Sequence, residues 1–167
     1  MSIVAFGINH KTASLDLRGQ IAFAPEIVVQ VLQSARSILG IQEIALLSTC
    51  NRTEVYIYGD VSDTQLLTWL AMIKALELKQ LKDCFYCYRE QAAVRHMMRV
   101  ASGLDSAILG EPQIFGQIKS AYSVGREAGT VSTILNRAFQ LAFSAAKRVR
   151  SETAIGKNPV SVAYTSV

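Results

Sequence analysis

The chain has 167 residues, half of them hydrophobic and 18% charged, with a net charge of +4. That length suits one domain or two small subdomains, and the charged share lies below the usual quarter. No apolar run approaches the ~20 residues that span a bilayer, no basic n-region or cleavage site opens the chain, and no basic run exceeds Lys147-Arg148. These observations set aside membrane-spanning, secreted and polycationic classes and predict a cytosolic protein.

Ile3 to Asn9 is predicted as a strand, followed by a polar turn and a loop through Gly19. Pro25 opens a helix. Val28, Val31, Leu32, Ala35 and Leu39 form its 3.6-residue stripe and Gly40 closes it. Gln42 to Ser48 is the second strand. Thr53 to Tyr58 is the third, with Val55 and Ile57 on one face and Tyr56 and Tyr58 on the other. Ser62 or Asp63 caps a helix over residues 62–77, striped by Leu66, Leu67, Leu70, Ile73 and Leu76. Cys84 to Tyr88 completes a βαββαβ order. That order predicts an α+β, ferredoxin-like split βαβ fold, an antiparallel sheet with two helices on one face. Tyr56, Tyr58, Phe85 and Tyr86 are read as core beneath those two helices.

About three helices follow. Gln91 to Leu104 turns Val94, Met97, Met98 and Ala101 inward. A glycine-interrupted stretch leads to a second helix from Glu111-Pro112-Gln113 to about Ala128. A third runs from Ser132 to about Thr153, striped by Leu135, Phe139, Ala142, Ala146 and Val149. Residues 1–155 are read as one domain. Gly156 to Pro159 is a linker, and 160–167 begin a further apolar element, so the chain is expected to be a fragment.

The three cysteines are Cys50, Cys84 and Cys87, an odd count that argues against a disulfide framework. Cys84 and Cys87 match C-x-x-C, but positions i and i+3 of a strand face opposite sides. A zinc site would need two more ligands, with only His10 and His96 to supply imidazole, so no metal is expected. Cys50 is different. It ends the apolar run Ile44-Ala45-Leu46-Leu47 within Ser48-Thr49-Cys50-Asn51-Arg52-Thr53-Glu54-Val55-Tyr56, as a strand delivering a reactive thiol would. Arg52 could hold a carboxylate through a bidentate pair or favour the thiolate. The bland alternatives are a half-buried turn cysteine and a surface ion pair between Arg52 and Glu54.

Three stretches in order resemble one family: Gly7-Ile8-Asn9-His10-Lys11-Thr12, Ser48 to Tyr56, and Gly103 to Gln117 with its Gly110-Glu111-Pro112-Gln113 core. Together with Arg148 to Gly156 they are similar to the catalytic domain of glutamyl-tRNA reductases. The resemblance implies that Cys50 attacks the ester of glutamyl-tRNA to form a glutamyl thioester. NADPH then reduces it to glutamate-1-semialdehyde, the first step toward 5-aminolevulinate and tetrapyrroles. By the same resemblance Thr49, Asn51 and Arg52 line the glutamate pocket, and Ser106 contacts substrate. Glu111, Pro112, Gln113 and Gln117 belong to a segment closing over it, and His96 is needed for activity near the thiol. His10 shapes the pocket. Without the motif, His96 is a packed or exposed helix residue, Ser106 a cap, and Glu111 helix-start chemistry.

Ser14, Gly19 and Ala107 depart from the family pattern, which commonly has proline, an acidic residue and methionine there. No G-x-G-x-x-G follows a strand, so the NADPH site is expected outside this chain. The family also implies a homodimer for the longer protein, a monomer for this piece, and the semialdehyde aminomutase as a partner. Two rival readings remain at this point. One is a non-catalytic tRNA-binding or regulatory module that stacks bases on sheet tyrosines beside the basic helix ending at Arg150. The other is a cysteine hydrolase with an oriented Cys-His pair.

Overall fold

A computed structural model of the chain describes residues 1–154. β1 (Ser2–Asn9), β2 (Glu43–Ser48), β3 (Arg52–Gly59) and β4 (Tyr86–Arg89) form one antiparallel sheet in the order β2-β3-β1-β4. α2 (Val28–Leu39) joins β1 to β2, and α3 (Asp63–Lys74) joins β3 to β4. This is the ferredoxin-like arrangement that the element order predicts. Three helices follow: α5 (Gln91–Ala101), α6 (Gln113–Glu127) and α7 (Thr133–Glu152).

The sheet is covered on both faces, because successive residues of a strand point to opposite sides. Phe6, Ile8, Ile44, Leu46, Val55 and Ile57 meet α2 and α3 in one core. Ala5, Ala45, Leu47 and Tyr56 meet α5, α6 and α7 in the other. Burial on both faces explains why β2 reads as an unbroken apolar run rather than an alternation. It also corrects the expected place of three tyrosines. Tyr56 and Tyr58 pack on the α5–α7 side, and Tyr86 meets His96 of α5. Only Phe85 lies under α2 and α3, stacked on Phe6.

Local chemistry sets the ends of the elements. Ser62 and Gln65 form a reciprocal capping box at α3, and Gly40 ends α2 at φ 64°. α7 has no cap from its own Ser132 side chain. Buried Glu43 on β2 does this work instead, accepting from the backbone N–H groups of Ser132, Ile134 and Leu135 at 2.7–3.1 Å. A carboxylate there satisfies orphan donors and opposes the helix dipole, which fixes α7 to the sheet edge.

Four boundaries differ from the sequence reading. The loop expected through Gly19 contains α1 (Leu15–Ile21), capped by Ser14 accepting from Leu17 N–H. Pro25 opens a short 3-10 turn, Pro25–Ile27, before α2. α3 stops at Lys74, and a second small helix, α4 (Leu78–Lys82), plugs the core with Leu81. β4 therefore begins at Tyr86, not Cys84. Cys84 precedes the strand and packs against the same core as Cys87, so strand alternation does not separate the two thiols. The expected linker 156–159 and the apolar segment 160–167 lie outside the described residues.

Gly7 of β1 lies opposite Glu54 of β3 in the register. A Cβ there would lie 2.4 Å from the Thr53 carbonyl oxygen and 2.7 Å from Glu54 Cγ. Gly7→Ala is expected to destabilise the fold by about 3 kcal/mol, because strand backbone cannot yield. Gly19→Ala, in open space within α1, is expected to stabilise by about 0.5–1 kcal/mol. Urea unfolding of the two variants beside the parent chain measures both.

Candidate active site

Cys50 sits with Asn51 at the tip of the β2–β3 hairpin. Thr49 N–H donates to the Arg52 carbonyl at 2.8 Å, closing a two-residue turn. The Thr49 hydroxyl accepts from the N–H groups of Asn51 and Arg52, both at 3.2 Å. The threonine thus holds the turn from within, and the thiol is exposed.

Behind the turn, β3 places Arg52, Glu54 and Tyr56 on one sheet face, two residues apart. Glu54 is fully buried, a costly place for a charge unless donors surround it. Its Oε1 accepts from Arg52 Nη1 (2.6 Å), Tyr86 OH (2.6 Å) and His96 Nε2 (2.8 Å), and its Oε2 from Tyr56 OH (2.7 Å). Burial pushes the Glu54 carboxyl up, but the bond and charge of His96, then Arg52 and Tyr86, reverse this and bring it to about 2. Burial and the Glu54 charge push both tyrosine hydroxyls well above their usual range, so they stay protonated donors. An ionised carboxylate only accepts, so His96 Nε2 carries the proton of its bond.

Arg52 is 2% exposed. Its second fork nitrogen, Nη2, donates to the Asp105 carbonyl (2.7 Å) and to Asp105 Oδ2 (2.9 Å). Asn9 Nδ2 also reaches Asp105 Oδ2, at 3.3 Å. The Arg52–Glu54 pair is therefore a buried pair, not a surface one, and it extends to the loop between α5 and α6. That loop closes on itself: Gly110 N–H donates to the Gly103 carbonyl at 3.0 Å. Both glycines have φ near 80°, and a Cβ on Gly103 would meet the Gly110 backbone at 3.0 Å. From α7, Arg150 Nη2 clamps the loop's far end through the Glu111 carbonyl at 2.8 Å. His10 lies beside this cluster with a buried Nδ1 that has no hydrogen-bond partner among the described residues. Burial, then Arg52 and Lys11, lower its pKa.

The turn, the loop and α6 enclose a cavity of about 30 Å³. It is lined by Thr49, Cys50, Asn51 and Arg52 from the hairpin and by Ser106, Glu111, Gln113 and Gln117 from the other side. Eight of the residues singled out in the sequence thus share one cavity. Pro112 and His96 do not line it. Pro112 is exposed at the start of α6. His96 lies deeper, stacked on Tyr88 with centroids 4.6 Å apart, and is held by Glu54. Asn9, Glu54, Tyr56, Tyr86, Asp105 and Arg150 were not singled out as site residues. The Arg-x-Glu-x-Tyr alternation of β3 is the signal for part of this set, since period two puts those side chains on one face. Nothing local in the sequence brings Asp105 to them.

The rival readings fare poorly. Tyr56 has no exposed surface and Tyr58 packs against the α5–α7 core, so neither offers its face to a stacking base. His96 is engaged by Glu54 rather than paired with Cys50. Among the described residues, no group of three or more His, Cys, Asp or Glu could hold a metal ion.

Fold and site define a class: a ferredoxin-like α+β domain that carries an exposed thiol on a hairpin turn, backed by a buried carboxylate–guanidinium network. The chain belongs to the glutamyl-tRNA reductase family, since the model of the "Glutamyl-tRNAGlu reductase, N-terminal domain" matches residues 6–153. It is 56% identical to the glutamyl-tRNA reductase of Ectopseudomonas mendocina and 57% identical to that of Pseudomonas fluorescens. Each match covers all of this chain and 39% and 40% of the relative. The solved glutamyl-tRNA reductase from Methanopyrus kandleri superposes with a TM-score of 0.79 at 31% identity, over 95% of this chain and 37% of that one. The chain thus spans about two fifths of the length of the relatives it matches.

The Glu54 network makes a stability prediction. In the fold the Glu54 carboxyl is brought to about 2, below the ordinary 4.5. The stability it contributes is therefore present above about pH 4.5 and lost as pH falls toward 2. Glu54→Gln is expected to cost about 3–5 kcal/mol at neutral pH, because it leaves Arg52 buried with one partner fewer. That deficit should shrink steadily between pH 4.5 and 2. Denaturant unfolding of both chains across that range measures it.

Proposed function

We propose that this chain is the glutamyl-transfer domain of an NADPH-dependent glutamyl-tRNA reductase. The observation that carries the reading is the single cavity gathering Cys50, Arg52, Ser106, Glu111, Gln113 and Gln117. The Cys50 thiolate attacks the ester carbonyl, a C–S bond forms and the C–O bond to the tRNA ribose breaks. The departing ribose oxygen takes up a proton to balance the one lost by the thiol. Arg52 receives the glutamate side-chain carboxylate, Glu111 faces its α-ammonium, and Thr49, Asn51, Gln113 and Gln117 line the bound group. His96 acts as a positioning residue through Glu54, which orients the Arg52 fork.

NADPH, when bound, supplies the hydride that turns the thioester into glutamate-1-semialdehyde. Among the described residues no glycine-rich phosphate turn follows a strand, so these residues do not form a dinucleotide cradle and no reduction step is assigned to them. The product feeds 5-aminolevulinate and tetrapyrrole synthesis. The reading extends to a homodimer for the longer protein, a monomer for this piece and passage of the semialdehyde to its aminomutase. No described helix is long and apolar enough to cross a membrane, and the reading extends to a cytoplasmic reaction.

The test is intact-mass measurement after mixing the chain with glutamyl-tRNA and quenching in acid. A glutamyl adduct is expected on the parent, removable by hydroxylamine and absent from Cys50→Ser. A folded chain that leaves glutamyl-tRNA intact and gains no adduct would overturn the reading.

The cavity at 30 Å³ is too small for a glutamyl group, and Asp105 already occupies the Arg52 fork. Asp105 must therefore yield to the substrate carboxylate. Asp105→Asn removes the competing charge and keeps the backbone carbonyl that Arg52 also uses. Free glutamate is expected to bind this variant severalfold more tightly by calorimetry. Weaker binding would show that Asp105 holds Arg52 in place rather than standing in for the substrate.

A further inference from the structure

A second cavity, of about 230 Å³, adjoins the first, and Gln117 lines both. It lies along the open edge of β2, between Val28 at the start of α2 and Ala121 and Val124 on α6. β2 is an edge strand whose outward groups alternate with those paired to β3. Ile44 shows the phase: its N–H donates outward to the Thr130 carbonyl at 2.8 Å, and its carbonyl accepts from the Thr130 hydroxyl at 2.8 Å. Leu46, two residues on, turns its N–H and C=O the same way, and neither meets a partner among the described residues. Leu46 is 4% exposed. An unpaired donor and acceptor side by side on the groove wall offer an occupant both halves of a hydrogen-bonded edge.

We propose that this groove binds the adenine of the 3′-terminal nucleotide of the acylated RNA. The inference rests on the ester-transfer reading given above. Leu46 N–H and C=O match the acceptor and donor that adenine presents on one edge, and the apolar walls suit the two faces of a planar base. The room, at about 230 Å³, is smaller than a drug-sized ligand needs and takes one base. An added peptide strand is excluded by length, because Thr130 seals the edge one step before Leu46. The position follows from the chemistry: the ester carbon that Cys50 attacks is bonded to the terminal ribose, so that base must lie within a ribose's reach of the thiol. Ser48, two residues before Cys50, lines this groove.

The test pairs binding with acylation. In the ¹⁵N-labelled chain, adenosine 5′-monophosphate is expected to shift the Leu46 amide saturably. Ser120→Trp, which places an indole from an exposed position on the groove wall, should abolish the shift, and Val28→Trp should do so from the opposite wall. Acylation of Cys50 by 3′-O-glutamyl-adenosine should slow about tenfold in both variants, while acylation by glutamyl ethyl ester, which lacks the base, changes less than about twofold. Equal slowing of both esters, or no slowing of either, overturns the proposal. So does a Leu46 shift produced by reduced nicotinamide mononucleotide and not by adenosine 5′-monophosphate, which would assign the groove to the hydride donor. If neither ester acylates the parent chain, acylation by glutamyl-tRNA decides the thioester reading, and the Leu46 shift alone still decides the groove.

Discussion

A fully buried carboxylate organises this domain. Glu54 stays ionised only because four donors converge on it, and those donors come from three separate elements: Arg52 and Tyr56 from β3, Tyr86 from β4 and His96 from α5. Loss of any one leaves a desolvated charge with fewer partners. The demands of one oxygen pair thereby fix how α5 sits on the sheet and how the Arg52 side chain leaves it. Arg52 then recruits Asp105, and with it the loop that carries Ser106 and Glu111.

The close fit beneath α5–α7 is the packing side of the same constraint. β1 presents Ala5 and Gly7 to that face, where larger side chains would push the helices off the Glu54 cluster. The opposite face carries Phe6, Ile8, Leu46 and Ile57 under α2 and α3, with the hydroxyl pair of Ser48 and Thr53 at its end. The sheet is thus asymmetric in chemistry though covered on both sides. One face supplies apolar stability, and the other spends part of its area on a polar cluster that only a fully satisfied set of bonds can hold.

Much of this was legible in the sequence because it is local. Period-two and period-3.6 patterns gave the strands and the main helices, and the motif around Cys50 marked the turn. The misplaced features share a cause. α1 and α4 are too short to show a stripe, and only Ser14 at the first and Leu81 under the second reveal them. The sequence puts the tyrosines in the wrong layer because strand periodicity fixes which residues share a face but not which helices cover it. Asp105, Arg150 and Glu43 act across 53, 39 and 89 residues of chain in their bonds to Arg52, Glu111 and Ser132, a range at which no local pattern operates.

The geometry also separates recognition from bond making. His96 donates through Nε2 to an ionised carboxylate, so that nitrogen is not free to take the Cys50 proton. The thiol sits exposed at the tip of the turn, on the wall of the cavity that Arg52 also lines. Two divisions of labour follow. The network behind the turn holds the Arg52 guanidinium in one orientation, between Glu54 and Asp105. The turn itself carries an exposed thiol, in a place where, in the proposed transfer, solvent and the departing ribose oxygen can exchange the proton. A substrate that satisfied Arg52 would displace Asp105 and so loosen the loop bearing Ser106 and Glu111 at the moment the ester arrives. Loop opening would then be coupled to recognition of the side chain rather than to the reactive bond, which is what a site must do if it is to examine an amino acid before committing its thiol to it.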